Sequence, residues 1–516
     1  MRISLIILTL IFTTFAFQGR AAEMPRFFEE TKSAGIDHTY SGKFEYMVGG
    51  GLATFDCNGD DSPDLYFAGG EGAAKLYQNQ SQKGEKLNFK MVEGSGLNLK
   101  KVTGAYPLDI DGDQVTDLAV LRIGENVLMR GRGNCRFERA NEAWKFDGGD
   151  AWTTAFTATW EKGSDWPTLV FGNFMDPETI VMDYGDCDAH ALHRPGSAGG
   201  YEKPLPLGPG HCSLSMLFSD WNRDGVPDLR ISNDKEFYRG GEEQLFALNP
   251  GANPQSFTRE EGWNKVNIWG MGIASHDITG DGFPDYYLTN MVENRFEVHS
   301  GGGEKPAFID RANEFGIAAG YPFTGGDKKP SSAWHAEFND VNNDGLADLL
   351  VVKGNVDTVA FLADADPNNL LIQQADGSFL EGAKEGGALS FELGRGGALI
   401  DLNDDGALDL IATNRFTPVE VWRNQGVSGN WLRLKLDYSE GNHRGVGSWI
   451  EVKTKDRLQR REITVGGGHA GGHWGWLHFG LGSSENAEAR AQWPDGKWGP
   501  WIKVQANSSA VIKHEH

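Results

Sequence analysis

The residues with the clearest capacity for chemistry are oxygen-bearing side chains that recur in a nine-residue pattern. Copies of the pattern begin at Asp56, Asp109, Asp220, Asp277, Asp340 and Asp401. Oxygen side chains occupy positions 1, 3, 5 and 9 of every copy. These side chains are Asp56, Asn58, Asp60 and Asp64; Asp109, Asp111, Asp113 and Asp117; Asp220, Asn222, Asp224 and Asp228; Asp277, Thr279, Asp281 and Asp285; Asp340, Asn342, Asp344 and Asp348; and Asp401, Asn403, Asp405 and Asp409.

Such spacing suits a hard divalent cation. Alternate side chains of a tightly turning loop point toward its centre, and Ca²⁺ takes six to eight oxygens at about 2.3–2.6 Å. The pattern therefore predicts up to six bound Ca²⁺ ions, with a backbone carbonyl as the ligand at the variable position 7. Asp, Asn and Gly also favour plain turns, but a turn needs neither the fifth nor the ninth acid.

Short apolar runs flank the acidic loops and predict strands, for example residues 51–55 and 349–352. An EF-hand would instead have flanking helices and a Glu at position 12. Loop starts lie 53 to 63 residues apart, except for a gap of 111 residues after Asp109. Within that gap, residues 160–169 have Pro167 and Leu169 where the first copy has Pro63 and Leu65, but they carry no acid at the four ligand positions. The sequence thus contains seven repeats, one of which has lost the ligands.

Seven repeats of 50 to 60 residues predict an all-β chain that forms a seven-bladed β-propeller, with calcium loops between strands and a small C-terminal β domain. A strand near Phe27 and Phe28 is expected to complete the last blade. We expect a signal peptide at residues 1–22, the propeller at residues 23–428 and the C-terminal domain at residues 429–516.

Composition narrows the class of protein. The chain has 516 residues, of which 69 are Gly, and this high share of Gly indicates many tight turns. The formal net charge of −24 disfavours nucleic acid as a partner, because the phosphate backbone would repel the chain. After signal cleavage we expect no transmembrane segment.

The N-terminus and the cysteines indicate an extracytoplasmic protein. Arg2, the apolar residues 3–17 and the small residues Ala21 and Ala22 are typical of a cleaved secretion signal, with an uncleaved anchor as the alternative. Four cysteines allow two disulfides in three connectivities. Proximity in sequence favours Cys187 with Cys212, which leaves Cys57 with Cys135. We therefore expect a periplasmic or secreted location.

The repeats resemble FG-GAP or VCBS repeats, the calcium-loop blades also found in integrin α-subunit propellers. Residues 270–285 (GMGIASHDITGDGFPD) are the most typical. Residues 441–447 (GNHRGVG), 477–482 (LHFGLG) and 493–496 (WPDG) resemble an ASPIC/UnbV domain, the tail of the cartilage acidic protein family. The resemblance implies a secreted calcium-binding propeller with a β-rich appendage. It implies little about a ligand.

The resemblance has one departure. Such tails usually carry a glycine-tyrosine and then a serine-glutamine phrase before HFGLG, where this chain has residues 466–476 (GGGHAGGHWGW). Any ligand that this phrase binds in relatives cannot be carried over to this chain.

Other side chains offer alternative functions. His469, His473 and His478 could hold a transition metal, or they could be ordinary strand and loop histidines. The tail tryptophans could stack on sugar rings or fill a small β core; they are Trp474, Trp476, Trp493, Trp498 and Trp501.

Three further residues raise the question of catalysis. His276, His335 and Glu337 would lie on or near innermost strands, and His335 and Glu337 could form an acid/base pair at the channel mouth. No G-x-S-x-G, H-E-x-x-H, P-loop or dinucleotide motif accompanies them. The sequence therefore favours a calcium-binding module for binding or adhesion, with an unknown protein or glycan as its ligand. An enzyme acting at the channel mouth and a carbohydrate-binding protein remain the alternatives.

Overall fold

A computed structural model describes residues 22–180, 185–197, 199–234, 241–357, 359–439 and 441–515. Apart from Ala22, the predicted signal peptide lies outside the described residues. Strands and loops make up nearly all of the described chain. Its helices are short; they are the α-helices Ala312–Phe315 and Ala383–Gly386 and the 3-10 helices Phe44–Tyr46 and Pro177–Thr179. The all-β class predicted from the sequence is confirmed.

In the described ranges, we group the strands before residue 425 into seven successive units of four antiparallel strands. Units 2 and 3 share one nine-stranded sheet, because Ala151 and Trp152 at the start of unit 3 pair with Gly124 and Ile123 of unit 2. Unit 1 contains Leu52–Phe55, Asp64–Phe67, Lys75–Asn79 and Phe89–Met91. Unit 2 contains Lys100–Leu108, Asp117–Gly124, Val127–Gly131 and Phe137–Arg139. Unit 3 contains Ala151–Thr159, Thr168–Asn173, His190–His193 and Leu205–Leu207. Unit 4 contains Ser213–Ser219, Asp228–Asn233, Gln244–Ala247 and Gln255–Ser256. A further strand, Gly70–Ala73, pairs with the first strand of unit 2.

The remaining units repeat this order. Unit 5 contains Ile273–His276, Asp285–Leu288, Arg295–His299 and Phe308–Asp310. Unit 6 contains Ala333–Asn339, Asp348–Lys353, Asn369–Gln373 and Phe379–Glu381. Unit 7 contains Gly394–Ile400, Asp409–Asn414 and Glu420–Asn424, and its fourth strand is the N-terminal Phe27–Glu29. The strand expected near Phe27 and Phe28 therefore does pair with the end of the repeat region.

The second strands of the units are buried on both faces, because each sheet packs between its neighbours. In Asp117–Gly124, for example, the side chains of Leu118 to Leu121 have no exposed area. This burial explains why these strands appear in the sequence as continuous apolar runs rather than as an alternation of apolar and polar residues. The first strand of each unit contacts the first strand of the next unit, and that of unit 7 contacts that of unit 1.

The two disulfides join Cys57 to Cys135 and Cys187 to Cys212, the pairing that sequence proximity favours. The first disulfide links unit 1 to unit 2. The second links a loop of unit 3 to the start of unit 4. Each therefore holds neighbouring units together.

The C-terminal region forms two further sheets. One has the order Leu477–Gly482, Asn430–Asp437 and Ser508–Lys513, with the last strand parallel to the second. The other has the order Leu458–Glu462, Trp449–Lys453, Asn486–Gln492 and Ile502–Gln505. Apolar residues such as Leu434, Val452 and Phe479 fill a core of their own. A short strand, Gly472–Trp474, leaves these sheets and pairs in parallel with Leu52–Phe55 of unit 1.

Candidate metal centres

Each acidic loop joins the first strand of its unit to the second. We number the loops after their units, as loops 1, 2, 4, 5, 6 and 7. In unit 3 the corresponding residues 160–167 make the same connection, with Trp160, Lys162 and Ser164 in place of ligands. Since all of these loops connect the same pair of strands, they lie at one end of the repeat region, which we call the loop end.

Loop 6 illustrates the local geometry that holds each loop. Backbone N–H groups of Asp344 and Gly345 donate to the Asp340 carboxylate at 3.1 and 2.6 Å. The Asp348 carboxylate accepts hydrogen bonds from the N–H groups of Val341 at 3.0 Å and of Gln373 at 2.9 Å. Asp64, Asp117 and Asp409 accept the equivalent two bonds in their own units. The ninth residue therefore fastens each of these loops to the third strand of its sheet.

Burial sets the electrostatics of these loops. It raises the pKa of Asp64, Asp228 and Asp285 to about 7 each. Burial, together with the neighbouring Asp344 charge, raises the pKa of Asp340 to about 8. Several buried carboxylates in one loop are unfavourable when they are all ionised, and bound cations or protons relieve this cost. The loops therefore favour positive charge at their centres.

The residues present fit a calcium ion. In the described chain, five ligand-position oxygens are buried without a hydrogen-bond partner: Asp111 Oδ1, Asp277 Oδ1, Thr279 Oγ1, Asp285 Oδ1 and Asn403 Oδ1. Carboxylate oxygens of Asp109, Asp111 and Asp113 lie within 4.8 Å of one another. Each donor is oxygen, the ligand atom that Ca²⁺ prefers over nitrogen and sulfur. Loop 5 contributes three of these unpartnered atoms and fits a metal best.

Loop 2 differs because a cation of its own sheet reaches into it. Nε of Arg130 lies 2.7 Å from Asp111 Oδ2, and one terminal nitrogen of its guanidinium lies 3.0 Å from Asp113 Oδ2. A guanidinium that holds two ligand carboxylates competes with a metal for them. In loop 5, by comparison, Arg460 holds a single ligand carboxylate, that of Asp277 at 3.3 Å, so the ligand carboxylates of loop 2 are more fully engaged.

The C-terminal domain covers the loop end, which the sequence did not predict. Each acidic loop is contacted by at least one residue of this domain. The contacts are Lys435 with Asp61 in loop 1, His443 with Asp109 in loop 2, Glu462 with the Asp220 N–H in loop 4, Arg460 with Asp277 in loop 5, Arg457 with the Gly345 carbonyl in loop 6, and Arg433 with Asp404 in loop 7. Most of these tail groups are cationic and so complement the acidic loops.

Residues 465–474, which we call the axial segment, run from the C-terminal domain along the first strands of five units. Isolated bridges join Val465 to unit 3, Gly466 to unit 4, Gly468 to unit 5 and Gly471 to unit 2. Its last three residues pair with unit 1. The axial segment includes most of the glycine-rich phrase that departs from the family pattern. This phrase lets the backbone pass close to the surrounding strands.

The three tail histidines all bond to the repeat region, but to different places. Nε2 of His469 accepts from the Gly49 N–H at 3.2 Å. Nδ1 of His473 lies 2.8 Å from Thr54 Oγ1, and Nε2 of His478 lies 2.6 Å from Asn343 Oδ1. Among the described residues, these histidines are not brought together around one point. Their contacts position the tail and do not form a transition-metal site.

His335 and Glu337 lie together on the first strand of unit 6, as their spacing predicts. Nε2 of His335 lies 3.8 Å from Glu337 Oε2, and only 6% of His335 is exposed. The backbone N–H of His469 donates to His335 Nδ1 at 3.2 Å, so that the axial segment lies over the pair. His276 lies on the first strand of unit 5, with its ring 6.2 Å from the ring of Phe338, the residue after Glu337. The predicted pair exists, but the tail covers it.

The tail tryptophans divide between core and surface. Trp474 and Trp493 are buried, and Trp476 lies over the Lys435 ammonium at the contact with the repeats. Trp498 and Trp501 both stack on the Arg490 guanidinium, 4.0 and 4.3 Å from the ring centres. Most of the cluster therefore serves packing.

Burial of His469 leads to a prediction about pH. Burial lowers the pKa of His469 to about 3, against about 6.5 in an unfolded chain. Between these values the unfolded chain takes up a proton that the folded chain does not. The residue's contribution to stability is therefore complete above pH 6.5 and is lost as the pH falls.

We therefore expect His469→Gln to destabilise the protein less at pH 5.5 than at pH 7.5, by about 1.4 kcal/mol. Glutamine has no proton to take up in the unfolded chain. Urea unfolding of the wild type and the variant at both pH values measures this difference. An equal destabilisation at the two pH values would contradict the assigned burial.

Comparison with known proteins identifies the C-terminal domain. Residues 438–516 match the sequence model of the ASPIC and UnbV family, and the chain therefore carries an ASPIC/UnbV domain at its C-terminus. Cartilage acidic protein 1 of Mus musculus is 35% identical over 108 residues, and that of Homo sapiens is 34% identical over 108 residues. These matches cover 20% of this chain and 17% and 16% of the relatives. The chain therefore spans about a sixth of the length of the curated relatives that it matches.

Solved structures resemble the chain only distantly. One match is a crystal structure of BBS1N in complex with ARL6DN, soaked with lead. The match covers 79% of this chain and 98% of the chain in that structure, with 10% identity and a TM-score of 0.44. An Agrocybe aegerita lectin that recognises non-reducing terminal N-acetylglucosamine covers 72% and 93% at 14% identity and a TM-score of 0.38. At these scores, neither match carries an argument about function. Separately, the described residues include no helix of the length and apolarity needed to cross a membrane.

Proposed function

We propose that this protein is an extracytoplasmic, calcium-binding, seven-bladed β-propeller whose C-terminal domain covers the calcium-loop end. The observation that carries the proposal is loop 5. Its Asp277 and Asp285 are at least nine-tenths buried, and each has an oxygen without a partner in the described chain. These oxygens, with Thr279 Oγ1 beside them, are the donors that Ca²⁺ would take.

The propeller arrangement is supported by the contacts between units. The first strands of units 1 to 7 contact one another in sequence, and those of units 7 and 1 also contact each other. The N-terminal strand Phe27–Glu29 completes unit 7, so the first and last parts of the ring share one sheet. We assign the propeller to residues 23–428, with FG-GAP/VCBS-like blades, and the tail to residues 429–516.

The two disulfides support an extracytoplasmic location, because such bonds persist in oxidising compartments. Periplasmic and fully secreted forms share this chemistry. Calcium is abundant outside cells, and affinities of about 10⁻⁴ to 10⁻³ M are sufficient there. The bound ions would then neutralise the crowded carboxylates and rigidify the loops.

We further propose that the protein acts as a binding or adhesion module through the face opposite the tail. That face is formed by the loops that join second to third strands and that join one unit to the next. It carries exposed aromatic residues around units 5 to 7, namely Tyr321, Phe361, Phe391 and Phe416, which are 54%, 54%, 38% and 50% exposed. Exposed aromatic residues are typical of sites that contact a protein or a glycan.

Substitution at position 9 tests the calcium sites. In Asp285→Asn, the amide oxygen can still accept the hydrogen bonds from the N–H groups of Ile278 and Thr279, but the charged ligand is lost. We expect titration calorimetry to show one binding site fewer than in the wild type. Thr168→Val is the matched control, because Thr168 occupies position 9 of the unit 3 segment, whose ligand positions carry no acid. Unchanged site numbers in both variants would argue against a metal in loop 5.

A further inference from the structure

A cavity of about 170 Å³ lies between the first strands of the repeats and the C-terminal domain. Its polar lining includes Thr54, His335, Glu337, Arg444 and Arg461. A single water needs only about 10–15 Å³ measured in this way, so the cavity has room for a small organic molecule. The axial segment closes one side of the cavity.

Several donors in this lining have no acceptor within hydrogen-bond distance in the described chain, and His335 is the first example. Its Nδ1 accepts a hydrogen bond from the His469 N–H, so Nε2 carries the proton of the neutral ring. Nε2 has no hydrogen-bond partner in the described parts of the chain, and only 6% of the residue is exposed. The nearest carboxylate oxygen to this N–H is Glu337 Oε2 at 3.8 Å, which is beyond hydrogen-bond distance.

Two arginines of the tail add further unused donors. Nε of Arg444 is buried and has no partner among the described residues. In the described chain, the Arg461 side chain makes a long hydrogen-bond contact of 3.5 Å with Asn339 Oδ1. Burial lowers the pKa of both guanidinium groups, and the charges of Asp61 near Arg444 and of Glu337 near Arg461 only partly oppose this effect.

The acidic groups of the lining are engaged elsewhere. Glu462 accepts hydrogen bonds from the Asp220 N–H at 2.7 Å and the Ser219 hydroxyl at 2.6 Å. Glu337 accepts from the Leu399 N–H at 3.0 Å. Lys435, the third cation of the lining, is already paired with Asp61. Among the described residues, Arg444 Nε and His335 Nε2 thus have no acceptor within hydrogen-bond distance, and the Arg461 guanidinium has only the long contact with Asn339.

We propose that this cavity binds a small oxyanion, either an inorganic one or the carboxylate of a small organic acid. Arg461 and Arg444 would hold its oxygens through charge-assisted hydrogen bonds, and His335 Nε2–H would donate a further bond. The site is separate from the calcium loops, and binding there does not require that the loops hold metal.

Titration calorimetry of the mature protein with sodium sulfate and with sodium succinate tests the proposal. Titrations in calcium and in chelator separate this site from the calcium loops. We expect saturable binding of at least one probe. Binding of sulfate alone would identify an inorganic oxyanion site, binding of succinate alone a carboxylate site, and binding of both a general oxyanion site. Absence of binding of either probe at 10 mM would overturn the proposal.

Variants locate the site. Arg444→Gln and Arg461→Gln should each weaken binding at least tenfold, because each removes a charge-assisted bond. Arg259→Gln is the matched control, since Arg259 is 68% exposed on unit 4 and its loss changes the net charge equally. Equal affinities in all three variants would contradict the assignment.

A second measurement uses the wild type and does not depend on the folding of any variant. Phenylglyoxal modifies accessible arginines, and mass spectrometry identifies the modified positions. We expect sulfate or succinate to protect Arg444 and Arg461 and to leave Arg259 unprotected. Equal modification of the two cavity arginines with and without the probe would overturn the proposal.

Discussion

Replacing Gly471 with alanine is expected to destabilise the protein by about 3 kcal/mol, the upper part of the usual range for overpacking. A Cβ at this position would lie 2.1 Å from the Leu52 carbonyl oxygen and 2.8 Å from the Leu52 nitrogen. Both atoms belong to the backbone of a central strand. No side-chain rotation can therefore relieve the clash.

The surrounding strands show the same close approach. A Cβ on Gly51 or Gly104 would lie 1.9 or 2.0 Å from the Ala470 carbonyl oxygen. Glycines on both sides of the contact thus allow the axial segment and the strands of units 1 and 2 to meet backbone to backbone. Alanine at Gly471 would push the segment away from several units at once.

Calorimetric melting in calcium measures this effect, with Gly196→Ala as the control. Gly196 lies in a loop of unit 3, where a Cβ would come no closer than 3.5 Å to any atom, the nearest being Glu202 Cγ. We expect the control to melt close to the wild type. Equal melting temperatures for the two variants would show that the axial segment does not pack as described.

Removal of calcium should have an even larger effect. An ion that binds only the folded chain stabilises it by RT ln(1 + [L]/Kd), where [L] is the free ion concentration. This amounts to about 1.4 kcal/mol per site when the free calcium concentration is ten times Kd. Six sites of this kind together contribute about 8 kcal/mol. Without the ions, the buried carboxylates of each loop must be protonated or must repel one another.

We therefore expect chelation to lower the melting temperature of the mature protein by 10 °C or more, on the order of what several kcal/mol produce. Addition of excess calcium should restore the original value. Magnesium serves as the control ion, because it prefers octahedral sites with several retained waters. A melting temperature that does not respond to chelator would contradict the structural role of the ions.

The features that the sequence predicted are those in which the informative residues are close together in the chain. The acidic residues of each loop fall within nine positions, and apolar strands flank them directly. The repeat without ligands was recognisable from Pro167 and Leu169. Even the pairing of the N-terminal strand followed from counting the strands left after the last loop.

The covered loop end was not predictable in this way. The contact between Gly49 and His469 joins residues 420 positions apart, and the contact between Arg460 and Asp277 spans 183 positions. Single arginines in the tail give no periodic signal. The departure at residues 466–476 was visible in the sequence, but only the structure relates its glycines to the close approach of five units.

Crystals of the mature protein grown in calcium would test the central claim most directly, through anomalous scattering from the metal. The account predicts six peaks, each about 2.3–2.6 Å from the oxygens at positions 1, 3 and 5 of one loop, and no peak at residues 160–167 of unit 3. Acidic loops without peaks, in crystals that diffract well enough to show bound calcium, would contradict it.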